Sequence, residues 1–286
     1  MKRYSIAVVC LAAATAPLAQ AVSIITLVDL GLGNLQALNR INSSAPGGAS
    51  PIGISGVPSN ERLLGIDYRP ANGQLYAVSS GSSLYRINTS TGVANLVGSG
   101  FTTTLTGASY GFDFNPTIDR IRIVGDSNQN IVAHPDTGAA NVAATTPVAY
   151  GAGDPNFGAD PNVVHHAYTN SFAGATTSQL YGIDSTLNIL VTQANNAGTL
   201  GFVGGLGVDA TDVGGFDIDG SSGIGYAAFT NLNGAATLYS INLATGQATS
   251  LGGLQGAVTG IAVIPEPSTV ALGGIGTLLL LRRRRA

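Results

Sequence analysis

Between Val22 and Ile264, the chain is made of short apolar stretches rich in Leu, Ile, Val and Tyr, separated by segments rich in Gly, Asn, Asp and Ser. Short apolar runs bounded by such turn-forming residues are typical of β-strands. No part of this region keeps its apolar residues at the spacing of about 3.6 that marks an amphipathic helix. The pattern therefore predicts an all-β fold.

Two patterns of residues recur along this region. The first is Leu-Tyr-x-Ile-Asn or a variant of it, and its copies begin at residues 35, 84, 131, 180 and 238. The second is Gly, then Ile or Phe, then Asp, at 65–67, 111–113 and 215–217, with a weaker copy at 166–169. Together they supply about four short strands in every 45 to 60 residues, which is typical of one β-propeller blade.

The five copies predict a β-propeller of five four-stranded blades. The last apolar segment, Val258–Val263, matches the opening strand of a blade, and no further strand follows it. The first copy, in contrast, lacks an opening strand. We therefore expect the N- and C-terminal strands of the domain to pair and close the ring. A β-solenoid or a large β-sandwich is the alternative that the same repeats allow.

The repeats also contain longer motifs. Gly65–Tyr76 reads Gly-Ile-Asp-Tyr-Arg-Pro-Ala-Asn-Gly-Gln-Leu-Tyr, Gly111–Pro116 reads Gly-Phe-Asp-Phe-Asn-Pro, and Leu238–Leu243 reads Leu-Tyr-Ser-Ile-Asn-Leu. With residues 119–122 and 167–170, these motifs resemble those of a bacterial propeller-like domain of unknown function, over roughly residues 24–264. The resemblance implies secretion and frequent pairing with a C-terminal sorting signal. It implies no activity and no site residues.

The first 21 residues have the features of a signal peptide. In order, these features are the basic Lys2 and Arg3, the apolar residues 6–16, and the small residues Ala19 and Ala21. We expect signal peptidase to cleave after Ala21. Cleavage would remove Cys10, the only cysteine, and with it any disulfide or thiol nucleophile. A buried N-terminal helix is the alternative.

Residues 265–286 consist of three parts in order: Pro265, Glu266 and Pro267, the short apolar stretch 268–281, and the cluster Arg282, Arg283, Arg284 and Arg285. This order of parts resembles the PEP-CTERM sorting signal of Gram-negative bacteria. The resemblance implies transient anchoring in the inner membrane, recognition and cleavage by an exosortase, and release to the exterior or attachment at the cell surface. A C-terminal transmembrane anchor that stays uncut is the alternative.

Apart from these two ends, the chain is acidic. Residues 22–264 contain six Arg, no Lys and fourteen Asp and Glu, which gives a net charge of about −8. This charge argues against binding to nucleic acid, and the lack of Lys excludes a P-loop. Gly107–Gly111 fits the Gly-x-Ser-x-Gly pattern of hydrolase nucleophiles, but a strand pattern rather than a helix follows it. We therefore predict no catalytic residues and no cofactor.

A cluster of Arg and Asp is the first candidate binding site. Arg120 and Arg122 alternate with two Ile residues, so both guanidinium groups should lie on one face of a strand. With nearby carboxylates such as Asp113, they could form a buried ion-pair network between blades. They could instead line a polar pocket near the central opening, together with Arg69, and bind a carboxylate or a sugar.

Asp217 and Asp219 are the second candidate site. The segment Asp217–Gly223 resembles the opening of a calcium loop, but it lacks a third acidic or Asn ligand and the bidentate Glu of an EF-hand. Asp217 also occupies the same place in the repeat as Asp67 and Asp113. This coincidence favours a structural role, in which each carboxylate accepts hydrogen bonds from backbone N–H groups.

From these features, we expect an exported, non-catalytic protein of the cell surface or extracellular matrix that associates with exopolysaccharide. A secreted polysaccharide hydrolase or lyase that acts from one face of the propeller is the main alternative. A metal-dependent structural module is the third interpretation.

Overall fold

The computed structural model describes residues 21–48 and 50–265. These residues form 20 β-strands that are grouped into five sheets. The innermost strands of the five sheets contact one another in a ring, so the sheets are arranged as the blades of a β-propeller. The predicted all-β class and the predicted number of blades are therefore confirmed.

Blade 1 joins the two ends of the domain. From the axis outwards, its strands are β20 (Ala257–Val263), β1 (Ser23–Asp29), β2 (Gln36–Asn42) and β3 (Ile52–Gly53). Strand β1 pairs antiparallel with β20, and Thr26 lies opposite Ile261. The predicted pairing of the first and last strands is therefore confirmed. It closes the ring through backbone hydrogen bonds, so the two terminal strands leave no open edge beside the axis.

Blades 2 and 5 have the predicted four strands. Those of blade 2 are β4 (Leu63–Arg69), β5 (Gln74–Ser79), β6 (Leu84–Ile87) and β7 (Ala94–Val97). Those of blade 5 are β16 (Gly214–Ile218), β17 (Gly225–Thr230), β18 (Ala236–Ile241) and β19 (Ala248–Leu254). These two blades contain the full Leu-Tyr-x-Ile-Asn motif, and its strand is the third from the axis in both.

Blades 3 and 4 vary on the four-stranded pattern. Blade 3 has β8 (Tyr110–Asn115), β9 (Arg120–Gly125) and β10 (Asn130–Ala133), and a single bridge between Ala133 and Ala140 stands in place of a fourth strand. Blade 4 has β12 (Val163–Tyr168), β13 (Leu180–Asp184), β14 (Ile189–Gln193) and β15 (Thr199–Gly205). It gains a fifth, two-residue strand, β11 (Ala149–Tyr150), because the chain leaving blade 3 pairs in parallel with β15.

The innermost strands β4, β8, β12, β16 and β20 run in the same direction along the axis. We call the face at which they begin the upper face and the face at which they end the lower face. The turns that join the first strand to the second and the third to the fourth lie on the lower face. Both ends of the domain also leave from the lower face, where the Ile264 N–H donates a 2.9 Å hydrogen bond to the Ser23 carbonyl.

Apolar side chains pack between neighbouring blades. For example, Phe112, Phe114 and Ile123 of blade 3 form a buried cluster with Tyr76 and Leu84 of blade 2. The apolar surface that is buried in such interfaces stabilises the fold by about 25 cal/mol per Å². Each blade is therefore stabilised in part by its neighbours, as expected for a repeat protein.

Glycines near the start of the innermost strands allow the blades to approach closely at the axis. A Cβ atom on Gly215 would lie 2.5 Å from the backbone nitrogen of Ile261, and one on Gly111 would lie 2.7 Å from that of His166. Because both distances are far shorter than van der Waals contact, only Gly fits at these positions. The Gly of the repeated Gly-x-Asp motif is thus explained by the packing of the innermost strands.

Candidate functional site

One position of the repeat points toward the axis in all five blades. Blades 2, 3 and 5 have Asp67, Asp113 and Asp217 there, whereas blades 4 and 1 have Ala167 and Ala262. All five side chains are buried. One oxygen from each of the three carboxylates lies within 4.8 Å of the other two. We call these three residues the axial carboxylate cluster.

Each carboxylate of the cluster joins its own blade to the next one. Asp67 Oδ2 accepts a 2.8 Å hydrogen bond from the Phe114 N–H of blade 3. In the same way, Asp113 Oδ1 accepts one of 3.2 Å from Tyr168 of blade 4, and Asp217 Oδ2 accepts one of 2.6 Å from Val263 of blade 1. The repeated Asp therefore connects the backbones of adjacent innermost strands.

The two Ala positions change this pattern. Because Ala262 and Ala167 offer no acceptor, the next blades satisfy the corresponding N–H groups themselves. Asp67 Oδ1 accepts a 2.6 Å hydrogen bond from its neighbour Tyr68, and Asp217 Oδ1 accepts one of 2.6 Å from Ile218. The sequence-based expectation that Asp217 and its equivalents bond backbone N–H groups thus matches the geometry, although most of these bonds cross between blades.

Burial and mutual repulsion both disfavour charge on the cluster. Burial raises the pKa of Asp217 to about 7. Burial, followed by repulsion from the other carboxylates, also raises the pKa of Asp67 and of Asp113 well above their usual range. Shared protons would relieve this repulsion. So would a hard cation such as Ca²⁺, for which carboxylate oxygens are the usual ligands. The adjoining space on the axis, lined by the repeated glycines, measures about 10 Å³, the size of one water molecule.

Asp219 lies apart from the axial carboxylate cluster, although it was grouped with Asp217 from the sequence. Its carboxylate accepts hydrogen bonds from the backbone and hydroxyl groups of Ser221 and Ser222 in the turn after β16. Burial would raise the pKa of Asp219, but these hydrogen bonds outweigh it and lower the pKa below its usual range. Asp219 therefore stabilises a turn of the lower face.

The candidate Arg and Asp residues are divided between two places. Arg69, at the end of β4, forms ion pairs with Asp119 and Asp136 of blade 3. Arg120 lies beside this group and donates a 2.8 Å hydrogen bond to the carbonyl of Asp119. The first place is thus an ion-pair network between blades 2 and 3, near the lower face.

The second place contains Arg122, which is fully buried between blades 3 and 4. Its guanidinium donates hydrogen bonds to the Tyr168 hydroxyl at 3.3 Å, to Asn130 Oδ1 at 2.7 Å and to Asn196 Oδ1 at 2.8 Å. The backbone N–H of Tyr168 is the group that bonds Asp113. Arg122 and Asp113 are therefore linked through Tyr168, and neither meets Arg69 or Arg120.

Ser109 and the buried His165 and His166 are further residues with potential chemistry. Ser109 of the Gly-x-Ser-x-Gly segment directly precedes β8, and its N–H donates to Asp126 at 3.3 Å. His165 Nε2 contacts the carbonyl of Thr211 at 2.8 Å. Burial lowers the pKa of His165, and it lowers that of His166 to about 3, so both rings are neutral at pH 7.

A concave site recurs at the lower edge of three blades. In each, the open space lies between the turn that joins the first two strands and the turn that joins the last two. We call this space the lower-edge notch. Its volume is about 370 Å³ in blade 2, 400 Å³ in blade 4 and 650 Å³ in blade 5. These volumes are in the range of small-molecule sites, roughly 300–1,000 Å³.

The three notches are built from equivalent positions of the repeat. In blade 2, Arg86 and Asn95 lie opposite one another on adjacent strands. The equivalent positions hold Thr192 and Gly201 in blade 4, and Ser240 and Thr249 in blade 5. The position at the start of the second strand is Gln74, Gln179 or Ile224. Amide and hydroxyl groups therefore predominate in this set.

Blade 3 presents a different lower edge. Its two turns carry Asp119 and Asp136, and the guanidinium of Arg69 bonds both of them. In blade 3, the Arg69 ion pairs therefore join the two turns. In blades 2, 4 and 5, the notch lies open between the corresponding turns.

Sequence reasoning did not single out the notch residues. The signal was present in the Leu-Tyr-x-Ile-Asn repeat, because Arg86 and Ser240 both occupy its third position. It could not be interpreted without knowing that the lower ends of the second and third strands are left open.

The sorting residues fall mostly outside the described part of the chain. Ala21 is exposed, and the next residue, Val22, is buried. Pro265 is the last described residue, so the signals at Ala19, Glu266, Pro267 and Arg282–Arg285 lie outside the described residues, as does the predicted membrane stretch. Within residues 21–48 and 50–265, no helix is both long enough and apolar enough to cross a bilayer.

Comparisons with known proteins find a matching family. The family model described as domain of unknown function (DUF4394) matches residues 37–262. No curated protein matches the sequence. Among solved structures, TolB from Acinetobacter baumannii has a TM-score of 0.45 and 13% identity, over 86% of this chain and 67% of that one. A structural genomics protein of unknown function from Bacteroides thetaiotaomicron has a TM-score of 0.47 and 10% identity, over 82% of this chain and 58% of that one.

Proposed function

The chain belongs to the DUF4394 family of unknown function, and we propose that it is an exported, non-catalytic surface or matrix protein that binds exopolysaccharide. The observation that carries this proposal is the lower-edge notch, which recurs in blades 2, 4 and 5 with amide and hydroxyl groups at equivalent positions. A repeated site suits a ligand that is itself a repeat.

The chemistry of the notches suits sugars. An Asn or Gln side chain offers both donors and an acceptor, and a Ser or Thr hydroxyl offers one donor and two lone pairs. A sugar ring presents the same mixture of hydroxyl donors and acceptors. Gln74 and Asn95 supply amides in blade 2, while Ser240 and Thr249 supply hydroxyls in blade 5. Such groups can exchange their hydrogen bonds to water for hydrogen bonds to a sugar at little cost.

A polymer can use several notches at once. Each exposed polar site alone would bind a sugar weakly, because its hydrogen bonds replace bonds to water. Once one notch is occupied, the neighbouring sugars of the same chain are held near the other notches at high effective concentration. Such linkage raises avidity by about 10²- to 10⁴-fold without any new kind of contact.

The position of the chain ends supports export and surface attachment. Both ends of the propeller leave side by side at the lower face. Signal peptidase could therefore cut after Ala21, and an exosortase near Pro265, outside the strands that close the ring. The proposed route is passage through the inner membrane of a Gram-negative bacterium, transient anchoring there, and release or surface attachment. The intact mass of the exported form tests this route, and a mass that still includes Arg282–Arg285 would contradict the C-terminal processing.

Binding can be tested with the full chain and polysaccharides of defined length. We expect affinity per sugar unit to rise at least tenfold from disaccharide to polymer, because only the polymer reaches several notches. A triple variant with one change in each notch should lose most of this gain: Gln74→Ala, Thr192→Ala and Thr249→Ala. A control variant changes three exposed polar residues of the upper face: Ser59→Ala, Ser127→Ala and Asn233→Ala.

Two results would contradict the proposal. One is an affinity that does not depend on polymer length, or that falls as much in the control variant as in the triple variant. The other is a shortened polymer after incubation with the wild-type chain but not with Asp113→Asn or Arg122→Ala of intact fold. That second result would favour a polysaccharide hydrolase or lyase instead.

A further inference from the structure

We propose that the notch of blade 2 binds a sugar that carries a carboxylate, and that Arg86 pairs with this carboxylate. The inference rests on the proposed function and adds to it the chemical class of the ligand. The notches of blades 4 and 5 would then bind neutral units of the same polymer.

Arg86 is available for such a pair. Its side chain is exposed, and its Nη1 lies 3.5 Å from Gln74 Oε1, at the limit of a hydrogen bond. Within the described residues, the ion pairs are those of Arg69 with Asp119 and Asp136, so no described carboxylate lies within 4.0 Å of Arg86. Because a guanidinium can donate two parallel hydrogen bonds to one carboxylate, Arg86 fits an acidic sugar.

The groups around Arg86 are ordered and polar. Gln74 is held by Asn72, whose Nδ2 donates to Gln74 Oε1 at 3.3 Å and whose Oδ1 accepts the Gln74 N–H at 3.0 Å. Asn95 lies directly opposite Arg86 on the next strand. These amides can hold the hydroxyls of a sugar ring whose carboxylate reaches the guanidinium.

A second cation acts on this notch from blade 1. Tyr68 lines the notch of blade 2. Burial raises the pKa of Tyr68, while the side chain of Thr89 and the charge of Arg40 oppose this rise. Arg40 is therefore close enough to contribute to the positive potential of the notch.

The equivalent residues in the other notches carry no charge. Thr192 in blade 4 and Ser240 in blade 5 occupy the position of Arg86. Acidic sugars would therefore be distinguished from neutral ones by a single position of the repeat.

The charges of the two faces favour the same conclusion. Most acidic side chains outside the axis lie in the loops and at the strand ends of the upper face: Asp29, Glu61, Asp126, Asp160, Asp184, Asp209 and Asp212. The strand ends and turns of the lower face carry Arg residues beside fewer Asp residues: Arg40, Arg69, Arg86 and Arg120 with Asp119, Asp136 and Asp219. Although the domain is acidic as a whole, its lower face, where the notches lie, therefore repels an anionic polymer less than its upper face does.

The test compares a polyuronate with the same polymer after reduction of its carboxyl groups. Both are titrated against the full chain at low and at physiological salt. We expect Arg86→Gln to weaken polyuronate binding by roughly tenfold and to leave binding of the reduced polymer unchanged. The matched control is Arg120→Gln, which removes one positive charge from the same face and should weaken polyuronate binding less than twofold.

A gain of function sharpens the test. Ser240→Arg places a guanidinium at the equivalent position of blade 5, and we expect it to strengthen polyuronate binding several-fold. Because Arg86 and Ser240 are not enclosed in the core, the variants should fold, and their melting temperatures verify this.

The outcomes separate the inference from the proposed function. If wild type binds neither polymer, the proposed function fails. If both polymers bind equally and Arg86→Gln has no effect, the inference fails and the proposed function stands. An equal loss in Arg86→Gln and Arg120→Gln would also overturn the inference, because it would mean attraction to the face as a whole.

Discussion

The axis and the lower-edge notches are built from the same repeat, but they place polar groups in opposite environments. At the axis, Asp67, Asp113 and Asp217 are buried within 4.8 Å of one another and bond backbone N–H groups. In the notches, residues such as Arg86 and Thr249 are open to solvent. The axis therefore holds the blades together, whereas the notches are free to bind a ligand.

This difference shows how a repeat can separate stability from recognition. A change at the axis alters contacts between two blades, because each carboxylate there bonds its neighbour. A change in a notch alters a single exposed side chain. The residue at the third position of Leu-Tyr-x-Ile-Asn can therefore vary between Arg86 and Ser240 without disturbing the fold.

The largest effect on stability is expected for Asp67→Ala. This change leaves the buried N–H groups of Tyr68 and Phe114 without their acceptor, and each such loss costs about 1–3 kcal/mol. We expect the free energy of unfolding to fall by about 2–6 kcal/mol in urea denaturation. The control is Asp209→Ala, an exposed carboxylate on a loop whose one hydrogen bond is long, at 3.4 Å, and this change should alter the free energy of unfolding by about 0.5 kcal/mol or less. Similar losses in the two variants would contradict the role given to the axis.

The axial carboxylate cluster should also make the stability of the protein depend on pH. A carboxyl with a raised pKa in the folded state binds protons more tightly there than in the unfolded state. Its contribution is therefore complete at pH values below the unfolded pKa, near 3.8, and is lost as the pH rises through the folded pKa, about 7 for Asp217. The expected loss is on the order of a few kcal/mol between pH 5 and 8.

Below pH 6.5, the buried histidines make stability rise with pH, which is the opposite of the effect of the carboxylates. The reason is that burial lowers the pKa of His166 from its usual 6.5 to about 3. The comparison is therefore made with Asp113→Asn, which keeps Oδ1 as the acceptor for Tyr168 but cannot ionise. We expect this variant to gain melting temperature relative to wild type as the pH rises from 5 to 8, in the presence of a chelator. A constant difference across this range would contradict the raised pKa of Asp113.

A smaller effect is expected for Gly215→Ala. Its new Cβ would lie 2.5 Å from the backbone nitrogen of Ile261, so the innermost strands of blades 5 and 1 must move apart. We expect a loss of about 1–3 kcal/mol in thermal or urea unfolding. Gly205→Ala is the control, because no atom lies within 4 Å of its added Cβ. A control variant as unstable as Gly215→Ala would mean that close approach at the axis is not the cause.

The smallest effect is expected for Arg86→Gln. Its guanidinium is exposed and makes one long hydrogen bond, so the free energy of unfolding should change by about 0.5 kcal/mol or less. The same measurement on Asp67→Ala provides the contrast. A large loss in Arg86→Gln would show that this notch holds its blade together instead of being free for a ligand.

Much of the fold could be predicted from the sequence because the strands of one blade are close together in the chain. Strands next to one another in the chain pair through short turns, so the repeat of Leu-Tyr-x-Ile-Asn gave the number of blades. The unmatched strand Val258–Val263 gave the closure of the ring. The fifth strand of blade 4 could not be predicted, because Ala149–Tyr150 pairs with β15, which follows three intervening strands in the chain.

The candidate site was less accessible to sequence reasoning. Arg120 and Arg122 are two residues apart on one strand, but Arg120 meets the distant Arg69 at Asp119, while Arg122 is enclosed by neutral partners. Asp217 and Asp219 are two residues apart and yet serve different structures. Nearness in sequence did not indicate which groups meet, since neighbouring residues of one blade face different partners.

The sequence by itself determined the strands, the turns, the repeat and the acidic charge, because each depends on residues close together in the chain. Only the tertiary structure decided that Asp67, Asp113 and Asp217 share one buried space, because their distance depends on how five blades close around an axis. It also decided that Gln74, Arg86 and Asn95 border an open notch while Arg69 bridges the turns of blade 3. The carboxylate cluster and the bridge made by Arg69 depend on contacts between blades, which no single repeat contains.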